Sequence, residues 1–191
     1  MISLITKSQN IQRTIVELKA KVDDLEEMRM KLMEDKAKYI GTFHQIDIYY
    51  EVPQGRLKLR ELVGRKDAEL IYYERENLAK PKKSTVFILA IPQSKAFKQI
   101  LKRIVSIKAV VEKAREIFIY KGVQVHLDKV KDLGSFIELE YLTSENSEQQ
   151  KKDFARLNQL RSQLGITARC LERFSYSDLI TSSAKSCSCK T

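Results

Sequence analysis

The sequence has few cysteines and histidines among its 191 residues, which narrows the chemistry open to it. Its cysteines are Cys170, Cys187 and Cys189, an odd number with two in the C-terminal tail, so a disulfide framework is not expected. No paired Cys-x-x-Cys spacing is present, which excludes the usual cysteine-based zinc sites. The two histidines, His44 and His126, are interpreted as structural residues rather than as ligands or bases.

Several familiar signatures are absent as well. The sequence has no Gly-rich P-loop, no His-Glu-x-x-His pair and no recognisable Ser-His-Asp arrangement. It has no RRM, KH or helix-turn-helix pattern, so no specific nucleic-acid partner is expected. No stretch approaches the roughly 20 apolar residues of a membrane helix, and the start of the chain lacks the apolar core of a signal peptide. We therefore expect a cytoplasmic protein with no membrane partner.

What the sequence has in excess is positive charge. The formal net charge is +10 at pH 7 and the pI is about 9.4. Apolar residues make up 43%, which is normal for a globular protein, and the length allows one domain with a core. A basic balance suggests a phosphate-bearing partner, which could be nucleic acid, an anionic membrane or a phosphorylated small molecule. Net charge alone does not distinguish these.

Several segments place charged residues at every second position, with apolar residues between them. They are Arg56-Leu57-Lys58-Leu59-Arg60, Lys113-Ala114-Arg115, Glu138-Leu139-Glu140 and Glu17-Leu18-Lys19. In a strand, successive side chains point to opposite faces, so each charged set lines one face. One such strand is an ordinary solvated edge, but several in a small domain indicate a sheet whose charged face has a use.

The turn and periodicity signals predict an α+β fold with eight or nine strands, three main helices and a short helix over residues 176–181. Asp23 with Glu26 marks the start of the first helix, and Lys80–Lys83 is interpreted as a solvated loop. The predicted strands include His44–Val52, Arg56–Leu62 and Ile107–Tyr120.

These strands are joined as antiparallel hairpins, and closing such a sheet into a barrel removes its exposed edges. We therefore predict a closed antiparallel β tunnel with a charged lumen, flanking helices and leucines that face outward beneath them. The predicted divisions are a polar lead-in over residues 1–12, the tunnel domain over 13–181 and a polar tail over 182–191.

The charged sets suggest two kinds of ligand. Arg56, Lys58 and Arg60 are spaced about 6.6 Å apart on one face, where an anion would relieve their repulsion; the alternative is an edge strand protected from aggregation. Glu138 and Glu140 have the spacing of oxygen ligands for Mg²⁺ or Mn²⁺; the alternative is a solvated strand face. Further candidates of the two kinds are Lys113, Arg115, Arg75, Glu17 and Asp128.

These residues lie in segments that together resemble the CYTH group of triphosphate tunnel enzymes, which includes class IV adenylyl cyclases and thiamine triphosphatase. The matching segments, in family order, are Gln45-Ile46-Asp47-Ile48-Tyr49-Tyr50, Gly55-Arg56-Leu57-Lys58-Leu59-Arg60-Glu61, Leu70-Ile71-Tyr72-Tyr73-Glu74-Arg75, Val111-Glu112-Lys113-Ala114-Arg115, His126-Leu127-Asp128-Lys129-Val130, Leu133-Gly134-Ser135-Phe136-Ile137-Glu138-Leu139-Glu140 and Ser175-Tyr176-Ser177-Asp178-Leu179. The ordered set carries the resemblance, which spans about residues 13–181 and is strongest to the cyclase-like branch.

The resemblance implies a tunnel that holds an organic or nucleoside triphosphate. By the match, the residues that neutralise the phosphates would be Lys19, Arg56, Lys58, Arg60, Arg75, Lys113 and Arg115. The residues that hold Mg²⁺ or Mn²⁺ would be Glu17, Glu138, Glu140 and Asp128. Two positions depart from the family pattern: Ile15 stands where the Glu-x-Glu-x-Lys signature begins, and Gln124 stands where an arginine is usual. One metal ligand and one phosphate contact are therefore expected to be missing.

Two reactions fit this expectation. Water could attack the terminal phosphorus, as in a triphosphatase, or the ribose 3′-hydroxyl of ATP could attack the α-phosphorus, as in an adenylyl cyclase. Ile15 and Gln124 keep a different class open, a catalytically silent module that binds triphosphate or polyphosphate. A basic outer surface that binds RNA or DNA is a third alternative. The sequence identifies no catalytic residue and leaves a homodimer open.

Overall fold

The structure is a computed structural model that describes residues 12–187. The predicted polar lead-in therefore lies outside the described residues, except for Gln12, which already belongs to the first strand. Residues 188–191 of the predicted tail also lie outside them.

Eight strands form a closed antiparallel barrel within the described part of the chain. They are β1 (Gln12–Val22), β2 (Lys38–Tyr50), β3 (Arg56–Leu62), β4 (Ala68–Arg75), β5 (Lys82–Ile91), β6 (Ile107–Tyr120), β7 (Val123–Val130) and β8 (Gly134–Leu142). Around the barrel the order is β1-β5-β4-β3-β2-β6-β7-β8, and β1 closes the sheet by pairing with both β5 and β8. The predicted closed tunnel is confirmed, with eight strands.

Most strands follow their sequence signals to within a residue or two, and two begin earlier than predicted. β3 and β6 have their predicted bounds. β2 begins at Lys38 rather than at His44, because its first half pairs with the far end of the long strand β6. β5 begins at Lys82, so the prediction of a solvated loop over Lys80–Lys83 was wrong for its second half. Lys82 pairs in register with Glu17 of β1, and its side chain is buried.

Four α-helices and one 3-10 turn surround the barrel in the part of the chain that is described. They are α1 (Leu25–Glu34), α2 (Ser94–Ile104), α3 (Ser147–Gln163), the 3-10 turn Ala168–Cys170 and α4 (Tyr176–Cys187). The cap of α1 is Asp24 rather than Asp23, since the Asp24 carboxylate accepts from the backbone N–H groups of Glu26 and Glu27. α4 continues past the predicted end at residue 181. No described helix combines the length and the apolar character that a bilayer crossing requires.

The apolar residues between the charges do pack outward, beneath the helices. Leu18 of β1 and Leu139 of β8 pack with Leu32 of α1 and Leu157 of α3, and all four are almost fully buried. A second apolar cluster lies between the outer faces of β2 and β3 and helix α2. Burial of apolar surface is the main stabilising contribution to a fold. Because the outer face supplies much of it, the inner face can carry charge.

Candidate active site

Alternate residues of all eight strands point into the bore of the barrel. The bore contains a cavity of about 90 Å³. Nine of the predicted site residues line this cavity: Glu17, Lys19, Lys58, Arg60, Arg75, Lys113, Arg115, Glu138 and Glu140. The other two do not line it. Arg56 contacts Asn77 and Asp178 at 2.7 and 2.9 Å, and Asp128 is buried behind Arg115.

One side of the bore holds three cations around a single carboxylate, and we refer to Asp47, Lys58, Arg60 and Lys113 as the basic cluster. Asp47 accepts from Arg60 Nε at 2.8 Å, Lys58 Nζ at 2.9 Å and Lys113 Nζ at 3.3 Å. All four residues are buried. Three positive groups against one negative group leave a formal charge of +2, which is an environment suited to a further anion.

The pKa values in the basic cluster show the cost of this crowding. Burial opposes ionisation of Asp47, but Arg60, Lys113 and Lys58 together hold its pKa well below the usual value. Burial and the neighbouring Arg60 lower the pKa of Lys58 to about 7. The Lys58 ammonium is therefore only marginally stable at neutral pH, and a bound anion would stabilise it.

A second group of residues lies elsewhere in the bore, and we refer to His126, Glu138 and Glu140 as the acidic cluster. One ligand atom from each of the three lies within 4.8 Å of the others. Strand pairing brings these side chains together, because His126 of β7 is the register partner of Glu138 of β8. Burial, followed by the charge of Arg115, lowers the pKa of His126 to about 4. The imidazole is therefore neutral at pH 7, which is its metal-binding form.

The acidic cluster has the chemistry of a divalent-cation site. Two carboxylates and a neutral imidazole are common protein ligands for such ions. His126 Nδ1 is fully buried and has no hydrogen-bond partner among the described residues, although it faces both glutamates. A buried nitrogen without a partner is uncommon, and a cation would satisfy it. The donor set therefore fits the metal that the sequence led us to expect.

The two remaining predicted metal ligands are already paired. Asp128 receives two hydrogen bonds from the Arg115 guanidinium, and its Oδ2 accepts from the Tyr176 hydroxyl at 2.8 Å. Glu17 forms an ion pair with Arg75, although it is the register partner of Glu140 across β1 and β8. Glu17 therefore stands beside the acidic cluster, whereas Asp128 acts through Arg115, which also binds Glu138.

Helix α4 contributes to the bore. The ring of Tyr176, its first residue, lies under Lys19, with Nζ 3.6 Å from the ring centroid. Asp178, two residues later, accepts from Arg56 Nη2 and Lys108 Nζ, each at 2.9 Å. These contacts anchor the start of the helix to strands β1, β3 and β6.

Residues 14–175 match the model of the CYTH domain. The chain belongs to the CYTH family. A search of curated proteins found no match.

Solved structures share the fold of this CYTH domain at low sequence identity. The PH1012 protein from Pyrococcus horikoshii is 23% identical, with a TM-score of 0.76, and the match covers 86% of this chain and 98% of that one. A candidate adenylate cyclase from Vibrio parahaemolyticus is 18% identical, with a TM-score of 0.73 and coverage of 88% and 98%. A candidate adenylyl cyclase from Hippeastrum, described as having a dominant triphosphatase activity, is 12% identical, with a TM-score of 0.61 and coverage of 90% and 96%.

The two departures from the CYTH pattern both face the bore. Ile15 lies on the inner face of β1, two residues before Glu17, and lines the cavity. It brings an apolar side chain where a carboxylate would add a ligand. Gln124 of β7 lies beside the acidic cluster, where its amide Nε2 is 2.7 Å from His126 Nε2.

Several bore residues were missed by the sequence analysis. Asp47 lies in a segment that resembles the family, but no role was inferred for it. Lys82 was interpreted as part of a solvated loop, and His126 as structural. Their signal was the same alternation that identified the glutamates: Asp47 stands two residues from Gln45 and Tyr49, and His126 stands midway between Gln124 and Asp128.

Proposed function

We propose that this CYTH domain binds a small organic or nucleoside triphosphate in its bore and acts on it as a divalent-metal-dependent triphosphatase or adenylyl cyclase-like enzyme. The observation that carries the proposal is one narrow cavity lined both by the cations of the basic cluster and by the two glutamates of the acidic cluster. The basic cluster offers buried cations with a formal surplus of +2, and the acidic cluster offers ligands for a cation. A metal–triphosphate complex carries both partners that this arrangement needs.

The side chains of the bore would act mainly by electrostatics. Lys58, Arg60 and Lys113 would donate to phosphate oxygens and stabilise the charge that develops during transfer. Glu138 and Glu140, with His126, would hold the metal, which when bound neutralises phosphate charge and orients the reacting group. Both water attack at the terminal phosphorus and attack by the ribose hydroxyl at the α-phosphorus need this neutralisation. The clusters therefore support the substrate class more strongly than they support one reaction.

The similar structures agree with this substrate class. Among them are proteins described as candidate adenylate cyclases and one described as having a dominant triphosphatase activity. A fission yeast RNA triphosphatase also shares the fold, with a TM-score of 0.50 and 12% identity. Because their identities are low, they support the fold, and the residues of this bore must support the chemistry. The cytoplasmic location and the homodimer remain predictions from the sequence.

A substrate panel tests the proposal. Purified protein would be incubated with ATP, thiamine triphosphate or inorganic triphosphate, with Mg²⁺ or Mn²⁺, while phosphate, pyrophosphate and cyclic AMP are measured. We expect turnover of at least one substrate and a loss of about 10- to 100-fold or more in Glu138→Gln. The matched control is Glu112→Gln, which removes an exposed glutamate paired with Lys131 at 3.0 Å. Absence of product from every substrate would contradict the enzymatic proposal.

A second candidate function is a triphosphate-binding module without turnover. It is favoured by Ile15, which removes one carboxylate from the bore, and by the ion pair that engages Glu17 with Arg75. Calorimetry with inorganic triphosphate separates the two candidates. Binding that depends on Lys58 but yields no product would support the module, and product formation would rule it out.

A further inference from the structure

The position of His126 in the acidic cluster bears on which ion the bore selects. Its Nδ1 lies 3.6 Å from an oxygen of Glu138 and 3.6 Å from an oxygen of Glu140. These separations are too long for hydrogen bonds. Ligand atoms that share one ion at about 2.0–2.2 Å stand roughly 3.0–3.5 Å apart, so small side-chain movements would bring all three atoms onto one cation.

Gln124 can leave that nitrogen free for a metal. Its side-chain amide Nε2 lies 2.7 Å from His126 Nε2, the ring nitrogen that does not face the glutamates. An amide presents either its NH₂ group or its oxygen after a half-turn about its last bond. When the oxygen faces the ring, it accepts from Nε2–H, and Nδ1 keeps the lone pair that a metal requires. A side chain that can only donate at this position would instead place the proton on Nδ1.

The surrounding charges leave room for a neutral ligand. Lys19 lies 3.2 Å from Glu138, Arg115 also binds Glu138, and Glu17 is engaged by Arg75. Glu138 is thus shared with two cations, so its charge is partly compensated before any metal binds. A neutral imidazole adds an electron-pair donor for a metal. Because it adds no negative charge, these cations do not compete with the metal for it.

We infer that this chain holds its divalent ion through one nitrogen and two carboxylates, His126 Nδ1 with Glu138 and Glu140, and therefore prefers first-row transition ions to Mg²⁺. Mg²⁺ favours six oxygen ligands in a strict octahedron, many of them water, whereas imidazole is a better ligand for the transition ions. The inference rests on the proposed function in placing the ion beside the triphosphate, but the selectivity is a property of the protein alone.

The test is Mn²⁺ binding to the full chain without triphosphate, followed by electron paramagnetic resonance. Mn²⁺ is chosen because the exposed thiol of Cys170 would compete for softer ions. We expect pulsed spectra to show coupling to a ¹⁴N nucleus and Mg²⁺ to compete poorly. In His126→Gln the coupling is expected to disappear and Mn²⁺ affinity to fall about tenfold or more. His44→Gln is the matched control, because His44 is the other histidine of the chain and is exposed.

A second variant leaves the ligand itself in place. Gln124→Leu removes the acceptor that fixes the ring, so we expect Mn²⁺ affinity to fall by about tenfold while the protein remains folded. Bound Mn²⁺ without ¹⁴N coupling, equal affinities in His126→Gln and His44→Gln, or no Mn²⁺ binding would each overturn the inference.

These outcomes are distinguishable from failure of the proposed function. Turnover of a triphosphate by a protein whose Mn²⁺ shows oxygen ligands alone would leave the proposed function standing and remove the nitrogen ligand. A clear ¹⁴N signal in a protein that turns over no substrate would support the nitrogen ligand and contradict the enzymatic proposal.

Discussion

The basic and acidic clusters occupy one bore, but Asp47 of the first and Glu140 of the second differ in their contacts. In the basic cluster, Asp47 is fully buried and accepts hydrogen bonds from three cations. In the acidic cluster, Glu140 has its described polar contact with His126 Nδ1 at 3.6 Å, which is longer than a hydrogen bond. Asp47 therefore stabilises the fold, whereas the carboxylate oxygens of Glu140 remain available to bind a metal ion. Two carboxylates of equal charge in one bore thus have different roles.

The largest expected effect is on stability when Asp47 is changed to asparagine. The variant keeps the size of the side chain but leaves three buried cations without a counter-charge. We expect the free energy of unfolding to fall by about 3–5 kcal/mol, the usual cost of breaking a buried ion pair. Denaturant unfolding measures it, and Asp67→Asn is the control, because the Asp67–Arg65 pair is exposed and should contribute about 0–1 kcal/mol.

Inorganic triphosphate sharpens this test. An anion in the bore would supply the missing counter-charge, so it should raise the melting temperature of Asp47→Asn more than that of the wild type. An equal rise in both proteins would mean that the anion does not reach the basic cluster.

The next effect is on triphosphate binding when Lys58 is changed to methionine. Loss of one charge-assisted hydrogen bond should weaken binding by about 1.5–3 kcal/mol, which is roughly 10- to 100-fold. Stability should change little, since burial already disfavours the Lys58 ammonium and lowers its pKa to about 7. Titration calorimetry measures the affinity. Lys131→Met, at an exposed position, should bind as the wild type does, and an equal loss in both variants would contradict a specific role for the bore.

A smaller effect on stability is expected for Glu140→Gln. Removing this charge relieves repulsion from Glu138 and breaks no described hydrogen bond, so the free energy of unfolding should change by about 1 kcal/mol or less. Metal binding and any turnover should nevertheless be lost. A destabilisation as large as that of Asp47→Asn would remove the contrast between the two clusters.

The smallest effect is a proton linkage. Lys58 and Lys82 both have pKa values lowered to about 7, in each case chiefly by burial. Between pH 7 and the ordinary lysine value of 10.5, the unfolded chain binds more protons than the folded one, so stability of the free protein should rise with pH. Triphosphate favours the ammonium forms, so its binding near pH 8 should take up protons. Calorimetry in two buffers of different ionisation enthalpy would detect the uptake, and a buffer-independent heat would exclude it.

Alternation of charged and apolar residues was enough to predict the closed barrel and its inverted faces. The period of two assigns every residue of a strand to the inner or outer face, so β3 with Arg56, Lys58 and Arg60 was predicted with its correct bounds. Alternation does not predict which inward-facing residues contact each other across the bore. That depends on register between strands distant in sequence, as when Asp47 of β2 meets Lys113 of β6.

The same limit explains the residues that were missed. Lys82 follows Pro81 in a basic run that is typical of loops, and only its pairing with β1 makes it a buried strand residue. His126 looked structural because a lone histidine gives no ligand spacing, and the glutamates it faces are on the next strand. The extension of α4 had no strong apolar period to signal it, and its first residue is fixed by a contact between Tyr176 and Asp128 that is distant in sequence.

The inverted barrel has a practical consequence for engineering. In β1 and β8, every second residue packs against the helices α1 and α3, and the residues between them face the bore and its ligand. The residues that face the bore could be substituted so that the bore binds another anion, while the intervening residues that support folding are kept. The constraint would be that each new buried charge arrives with a partner, as Asp47 provides for its three neighbours.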